Sequence, residues 1–356
     1  MYAVIMAGGS GTRFWPVSRR DRPKQFLAIG TDRPLLVETV ARLDPLVPLE
    51  RILVVAGAHH ADTIRALLPG LPPDNLLIEP CARNTAPCVG LAAAHLAARD
   101  PDAVMAVLPA DHHIGDPARF RALIAAAADR ARRGEIVTLG IRPTRPETGY
   151  GYIHFDRTDT VDIDGVAACR VERFVEKPPR EVAEQYLASG RYLWNSGMFF
   201  FTPRRILADI GRFLPATRAR LDRIAAAIGT PAYAETLERE FAATEAVSLD
   251  YGVMEHADRV RVVPAAFGWN DVGHWAALAD FGDVDDRGNV LRGDTVIVDS
   301  HGCVVQSEGP LVALVGVHDL VVVATGDAVL VCPKDRAQDV RRVVDRLAAR
   351  KREDVL

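Results

Sequence analysis

Tyr2-Ala3-Val4-Ile5-Met6-Ala7-Gly8-Gly9-Ser10-Gly11-Thr12-Arg13 opens the chain and says more about its architecture than any other run. The apolar residues Tyr2–Met6 have the length and character of a buried strand. The glycines after them let the backbone take positive φ and approach a ligand without side-chain clash. Successive backbone N–H groups in such a loop form a nest for phosphate oxygens. Arg13 and, further along, Lys24 add two cations to the same segment. The segment therefore reads as a polyphosphate site borne on a strand, built from the backbone of Ala7, Gly8, Gly9, Ser10, Gly11 and Thr12 with Arg13 and Lys24. A plain Gly-rich turn is the alternative, and the two cations weigh against it.

Two common phosphate motifs do not fit. A P-loop needs a Gly-Lys pair, and the chain has none. The dinucleotide fingerprint G-x-G-x-x-G fails because Phe14 stands where the third glycine should be.

Beyond this segment, strand-like runs alternate with helix-like ones. Residues 2–6, 51–56, 76–78, 104–108 and 136–140 read as buried strands. Residues 35–43, 61–68, 86–98 and 117–133 read as helices between them. Such alternation predicts a mainly parallel sheet covered on both faces. Ligands on such sheets bind beyond the carboxyl ends of the strands, and Gly8, Glu79 and Asp111 each follow an apolar strand. From 150 to 201 the pattern loosens, with strands expected at 150–155, 171–175 and 198–201 around a helix at 180–187. Helices are expected at 203–213, 217–228 and 233–242. Past about residue 281 short Val-rich runs appear at 295–298, 303–306, 311–315, 320–324 and 329–332, followed by an amphipathic helix at 334–349. That spacing suggests a compact β module, a few coils of a β-helix. The chain thus divides into 1–280 and 281–356.

Composition narrows the class. The chain has 356 residues, 49% hydrophobic and 25% charged, as expected for a globular enzyme. A net charge of −4 argues against a nucleic-acid partner, which would favour a basic surface. Residues 1–6 are too short an apolar stretch for a secretory signal. No uninterrupted apolar run has membrane-spanning length, and 311–332 is broken by His318, Asp319 and Asp327. Cysteines stand at 81, 88, 169, 303 and 332 without C-x-x-C spacing. That points to reduced thiols in the cytoplasm and away from a disulfide frame or zinc. Only four of the 43 basic residues are lysines, at 24, 177, 334 and 351. Two of them fall in candidate site motifs, where a compact ammonium rather than a planar fork would be needed.

Gly8-Gly9-Ser10-Gly11-Thr12-Arg13-Phe14-Trp15-Pro16, with Pro23-Lys24-Gln25-Phe26 after it, resembles the signature of sugar-nucleotide pyrophosphorylases, more narrowly of bacterial mannose-1-phosphate guanylyltransferases. Further matching segments follow in the family's order: Glu79-Pro80 with Arg83-Asn84-Thr85-Ala86-Pro87, Leu108-Pro109-Ala110-Asp111-His112, Glu147-Thr148-Gly149-Tyr150-Gly151, Phe174-Val175-Glu176-Lys177-Pro178, Trp194-Asn195-Ser196-Gly197 and Trp269-Asn270-Asp271-Val272-Gly273. Phe14 and Val17 stand where many relatives are expected to carry Leu. The resemblance implies an α/β, Rossmann-like nucleotidyltransferase domain and a β-helical module that serves homodimerisation. It also implies the reaction: GTP and mannose 1-phosphate give GDP-mannose and pyrophosphate. Some relatives fuse an isomerase domain behind the transferase; the chain ends before one, so no isomerase activity is expected.

The chemistry asks for positioning and positive charge more than for a base, because a phosphate monoester is already largely ionised near neutral pH. Arg13, Lys24 and Asp111 are the expected catalytic residues. Mg²⁺ favours one or two carboxylates plus substrate phosphates, and the resemblance assigns Asp111 and Asp271 as its ligands. Read alone, each is an ordinary turn aspartate. Zinc at His112 and His113 is disfavoured, since adjacent residues rarely turn both rings to one ion. Glu79 is the expected guanine reader: one carboxylate can accept from N1–H and the 2-amino group together, and sites built on such bonds discriminate by up to ~10⁴-fold. Asn84, Thr85 and Ala86 either touch the base or cap the helix that opens there. Pro109 completes the nucleotide set. Gly149, Glu176, Lys177, Asn195 and Asp271 form the expected sugar set, with Tyr150 as a packing member.

Three rival classes are weighed against this reading. A non-catalytic sensor of GDP-mannose has no need of Arg13, Lys24, Asp111 and Asp271. A glycosyltransferase with a D-x-D motif would use Asp162-x-Asp164 or Asp283-x-Asp285, both in turn-like stretches. A dehydrogenase lacks its third glycine. A sister enzyme using another sugar or base remains the nearest alternative.

Overall fold

The computed structural model describes every residue except Ser10 and Asp164, so those two members of the expected motifs lie outside the described residues. The chain forms two compact units. The first comprises Met1–Gly8, Arg42–Pro109 and Asp116–Phe267; the second comprises Gly9–Ala41, Ala110–Gly115 and Gly268–Leu356. No single cut in the sequence separates them.

The first unit is built on a nine-stranded sheet. Its strands lie in the order Leu76–Glu79, Ile52–Gly57, Tyr2–Met6, Met105–Pro109, Tyr192–Phe201, Ile136–Ile141, Val260–Ala265, Val166–Glu176, Gly151–Ile163. The first four run parallel, as their continuous apolar runs predict for strands buried on both faces. The other half is mixed: Tyr192–Phe201 lies antiparallel to both of its main neighbours, and Val260–Ala265 pairs parallel with Ile136–Ile141. Because the first four strands share a direction, Ala7, Glu79 and Pro109 leave the sheet at one edge; the register pairs Met6 with Val55 and Pro109, and Gly57 with Glu79.

Helices cover this sheet where the sequence supplies caps. Asp116 accepts from Arg119 N at 2.8 Å and Pro117 opens the helix Pro117–Arg132, the residue types those positions favour. Thr202 does the same for Pro203–Phe213, accepting from Arg205 N at 3.2 Å. The core beneath includes Leu53, Val55, Val89, Leu96, Val107 and Phe201, all fully buried. Each such side chain contributes about 1.5–3 kcal/mol by leaving water.

The hairpin Gly151–Ile163 with Val166–Glu176 is longer than the strands expected at 150–155 and 171–175. Register shifts between His154 and Phe155 and between Asp156 and Thr160 interrupt the ladder partway along, so no single alternation runs the length of the hairpin.

The second unit has the β-helix-like core expected of the Val-rich runs. Val290–Arg292, Val304–Ser307 and Leu320–Ala324 stack in parallel, Val329–Pro333 closes that sheet antiparallel, and Thr295–Val298 pairs parallel with Val312–Val315. Cys303, Val305, Leu314 and Val322 fill the interior. Asn289 is fully buried with its amide spent inside: it donates to Asp285 Oδ2 at 3.0 Å and accepts from Cys303 N at 2.9 Å. The expected terminal helix is a 3₁₀ turn, Lys334–Asp339, running into the α-helix Val340–Ala349. A second apolar cluster joins Phe14, Trp15, Leu27 and Leu35 to Val272, Trp275, Val304 and Val340. Phe14 meets Trp275 edge-on at 4.9 Å, and Trp15 Nε1 donates to Val355 O at 2.8 Å. The segment after the glycine loop is therefore packed by chain from the far end of the sequence. No helix among the described residues is long and apolar enough to cross a membrane.

Candidate active site

In the second unit the glycine loop and three distant segments line one cavity of ≈ 410 Å³. Gly11, Thr12, Arg13 and Phe14 face it with Lys24, Asp111, Asp271 and Gly273, and Arg341 and Asp345 complete its wall. The loop's shape has local causes. Gly9 and Gly11 sit at φ 105° and 57°. A Cβ on Gly11 would lie 2.6 Å from Lys24 N, so only glycine lets the two segments touch. Ser18 Oγ and Phe14 N both donate to the Gly11 carbonyl, at 2.7 and 2.9 Å.

Lys24 is buried and its ammonium is fully engaged. Nζ donates to Asp271 O at 2.8 Å and Val272 O at 2.9 Å, and pairs with Asp111 Oδ2 at 3.0 Å. An ammonium has three donors, so Lys24 ties the loop to both aspartate segments. Val272 presents its carbonyl from φ 49°, a conformation a β-branched residue rarely adopts. The Asn270 side chain holds it there, accepting from Val272 N at 2.7 Å. Such strain persists where surrounding contacts over-determine it, often at functional sites.

Burial alone would raise the Asp111 carboxyl. The charges of Lys24 and His112 and the direct bond from Lys24 outweigh it and hold the group below its ordinary value, since a nearby opposite charge favours the ionised form. The neighbouring histidines diverge. His112 accepts from Trp269 Nε1 at 3.1 Å, while His113 stacks on Phe281 at 4.2 Å. A Cβ on Gly273 would stand 3.0 Å from Asp271 Oδ2, so glycine leaves room for that carboxylate. Asp111 and Asp271 together offer hard oxygen donors of the kind a small divalent cation takes alongside phosphates. The lining carries three cations, Arg13, Lys24 and Arg341, against three anions, Asp111, Asp271 and Asp345. An entering polyphosphate would tip that balance negative unless a cation entered with it.

In the first unit Glu79 ends its strand with Oε1 buried and unpartnered among the described residues. Burial raises its carboxyl to about 7, partly offset by a hydrogen bond with Cys88. An orphaned buried carboxylate oxygen calls for a partner. Asn84 caps the helix Thr85–Arg99, accepting from Thr85 N at 2.8 Å, from φ 66°. Thr85 Oγ1 accepts from Leu249 N at 2.8 Å, and Ala86 N donates to Val247 O at 3.1 Å. Thr85 and Ala86 therefore anchor the 247–249 segment to the helix start.

That segment leads to Asp250, which the sequence reading did not single out. Asp250 Oδ1 accepts from Asn195 Nδ2 at 2.7 Å, and Asn195 Oδ1 accepts from Gly197 N at 3.1 Å, so the Asn195 amide is held from both ends. Burial first, and then the Glu176 charge, raise the Asp250 carboxyl to about 6, against the bond from Asn195. Glu176, Asn195, Asp250 and Glu255 line one pocket with Gly151. A Cβ on Gly151 would meet Glu176 Oε2 at 2.5 Å. Lys177 pairs with Glu176 and sits at φ 47°. Tyr150 packs edge-on to Trp194 at 5.2 Å, and Gly149 N donates to Glu147 Oε1 at 3.0 Å. Pro109, at its strand end, stands 3.8 Å from a Cβ built on Gly197. The D-x-D candidates close turns. Asp162 Oδ1 accepts from Gly165 N at 3.0 Å, and Asp285 Oδ1 accepts from Arg287 N and Asn289 N.

Comparison with known proteins places this geometry. The nucleotidyl transferase family model matches residues 2–286, and a MannoseP isomerase/GMP-like beta-helix domain matches 293–347. The chain is 41% identical to the alginate biosynthesis protein AlgA of Pseudomonas aeruginosa, over 99% of its own length and 73% of that protein. It is 40% identical to the mannose-1-phosphate guanylyltransferase of Escherichia coli, over 98% of its own length and 74% of that protein. A crystal structure described as mannose-1-phosphate geranyltransferase from Thermus thermophilus superposes with a TM-score of 0.88 at 42% identity, covering 98% of this chain and 99% of that one. With its glycine loop after the first strand, its aspartates gathered round one lysine and its coiled C-terminal module, the chain belongs to the nucleotidyl transferase family.

Proposed function

We propose that the protein is a Mg²⁺-dependent mannose-1-phosphate guanylyltransferase. The observation that carries this reading is the cavity in which Arg13, Lys24, Asp111 and Asp271 meet on a glycine loop; the relatives named above supply the substrate class. In the reaction a phosphate oxygen of mannose 1-phosphate attacks the α-phosphorus of GTP. A new P–O bond forms, the bond from the α-phosphorus to the bridging oxygen breaks, and pyrophosphate leaves with its electron pair. GDP-mannose is the product. The nucleophile is already an anion near neutral pH, so no general base is needed.

Each residue has a stated task. The loop N–H groups and Arg13 take the nucleotide's phosphates. Lys24 holds Asp111 and the 271–272 backbone in place and keeps Asp111 ionised. Asp111 and Asp271 would hold Mg²⁺, which supplies charge neutralisation for phosphates and leaving group when bound. Glu79 offers its unpartnered oxygen to the guanine N1–H and 2-amino edge. Asn195, oriented by Asp250, and Glu176 bond to sugar hydroxyls, and Lys177 serves the sugar phosphate.

The free thiols of all five cysteines support a reducing, cytoplasmic setting. Exposed Val296, Val298 and Val315 on the paired strands of the C-terminal module support a homodimer through that module; sedimentation would read it. The function is tested by pyrophosphate release from purified protein given GTP, mannose 1-phosphate and Mg²⁺, with ATP, UTP and dTTP as rival nucleotides and EDTA as the metal control. Release that requires GTP and the metal supports the reading. No release, or equal rates with UTP, overturns it.

A further inference from the structure

The wall of the loop cavity includes a cation that the proposed reaction has not used. The helix Val340–Ala349 buries Val340 and packs Val343, Val344 and Leu347 onto the cluster holding Phe14, Trp275 and Val290. Those positions form one helical face. Burying it fixes the helix's rotation and brings Arg341, with Asp345 one turn on, into the lining beside Thr12, Arg13 and Lys24. Arg341 makes no ion pair among the described residues, and neither does Arg13; Lys24 has spent its donors on Asp111 and two carbonyls. The cavity therefore presents two uncommitted guanidinium forks, from opposite ends of the sequence.

Resting on the reading that this cavity takes the nucleotide's phosphates, we infer that Arg341 is a polyphosphate-binding residue, gripping with Arg13 the β- and γ-phosphates that depart as pyrophosphate. A planar fork matches two phosphate oxygens at once. The leaving group gains charge as its bond to the α-phosphorus breaks, so a cation aimed at it acts where charge develops. The β-helix module thereby contributes a ligand to the transferase chemistry, in addition to any role in assembly.

The test compares Arg341→Ala, Arg341→Lys and Arg342→Ala in the full chain. Arg342 shares the helical turn, pairs with Asp339 at 3.8 Å and lies outside the cavity lining. Titration of GTP and GMP with Mg²⁺, and KM for pyrophosphate in the reverse direction, are the readouts. Arg341→Ala should weaken GTP and raise the pyrophosphate KM about tenfold, while GMP, which lacks the β- and γ-phosphates, stays within about twofold. Arg341→Lys should fall between, and Arg342→Ala should match wild type. Unchanged GTP binding in Arg341→Ala, equal loss of GTP and GMP, or the same loss in Arg342→Ala would overturn the assignment. A wild-type protein that neither binds GTP nor releases pyrophosphate would instead refute the proposed function itself.

Discussion

Replacing Lys24 by Met should unbalance the loop cavity in a way whose size and pH dependence both follow from the geometry. The change removes one ammonium and strands three oxygen partners: Asp111 Oδ2 and the carbonyls of Asp271 and Val272. The Lys24 side chain is 11% exposed and that of Asp111 25%, so the pair is largely withdrawn from water. Removing one member of a buried pair costs about 3–5 kcal/mol. Asp111 keeps some solvent, which places the expected loss near the lower end, ~3 kcal/mol. In the wild type the Asp111 carboxyl is held low, so its contribution is present above its unfolded value and lost as pH falls through the folded one. In Lys24→Met the largest influence opposing burial is gone, and the carboxyl rises. The variant then tolerates the protonated acid, and its deficit should be largest near about pH 8 and narrow toward about pH 4. Urea unfolding, followed by the fluorescence of Trp15 and Trp275, both buried in this unit, reads the difference. A deficit under ~1 kcal/mol at the higher pH, as an exposed pair would give, or one equal at both pH values, would refute the argument. Adding Asp111→Asn should recover part of the loss, a coupling expected of residues in contact and absent between distant, independent sites.

Other outcomes follow from the same geometry. Glu79→Gln should narrow the preference for GTP over ATP, measured as the ratio of kcat/KM values; an unaltered ratio counts against base reading by Glu79. The folded Glu79 carboxyl lies above its unfolded value, at about 7. It therefore favours the folded state at acid pH and loses that contribution as pH rises through the folded value. The variant's stability should be flatter over that window. Asp111→Asn should collapse turnover by at least about 10²-fold, as loss of one preorganised charge does, with the far-ultraviolet circular dichroism unchanged; an active variant would remove Asp111 from the chemistry. Asp250→Ala frees the Asn195 amide, so KM for mannose 1-phosphate should rise about tenfold, ~1.4 kcal/mol, with KM for GTP held. Equal rises in both would make Asp250 a general structural residue.

The parallel half of the sheet was legible because Tyr2–Met6, Ile52–Gly57 and Met105–Pro109 are apolar throughout and bounded by Gly, Pro or turn residues. Val260–Ala265 escaped notice because Pro264 argues against a central strand. Its ladder with Val166–Glu176 spans only Arg261 and Val262, so at Pro264 it is paired on one side and tolerates the missing N–H. The two-residue ladder of His113–Ile114 with Trp269–Asn270 is too short to carry any period. Among the residues proposed for the site, the glycine loop and Glu79 stand out by local pattern. Asp250 and Arg341 do not. Asp250 opens a π-helical turn in a stretch without periodicity, and Arg341-Arg342 reads as a solvated helix face. What decides their roles is contact between segments far apart in sequence, for which a single chain offers no local sign.

The bond from Trp15 to Val355 spans 340 residues, and it has a consequence for synthesis. As the polypeptide emerges from the ribosome, Phe14, Trp15 and Leu27 have none of Trp275, Val304 or Val340 to bury them until the segments that carry those residues have been made. This segment is thus made well before it can settle, and during that interval a sticky aromatic stretch stands ready for chaperones or for aggregation. A nascent chain stalled before residue 268 should keep this segment open to protease, although the nine-stranded sheet of the first unit already has every one of its strands.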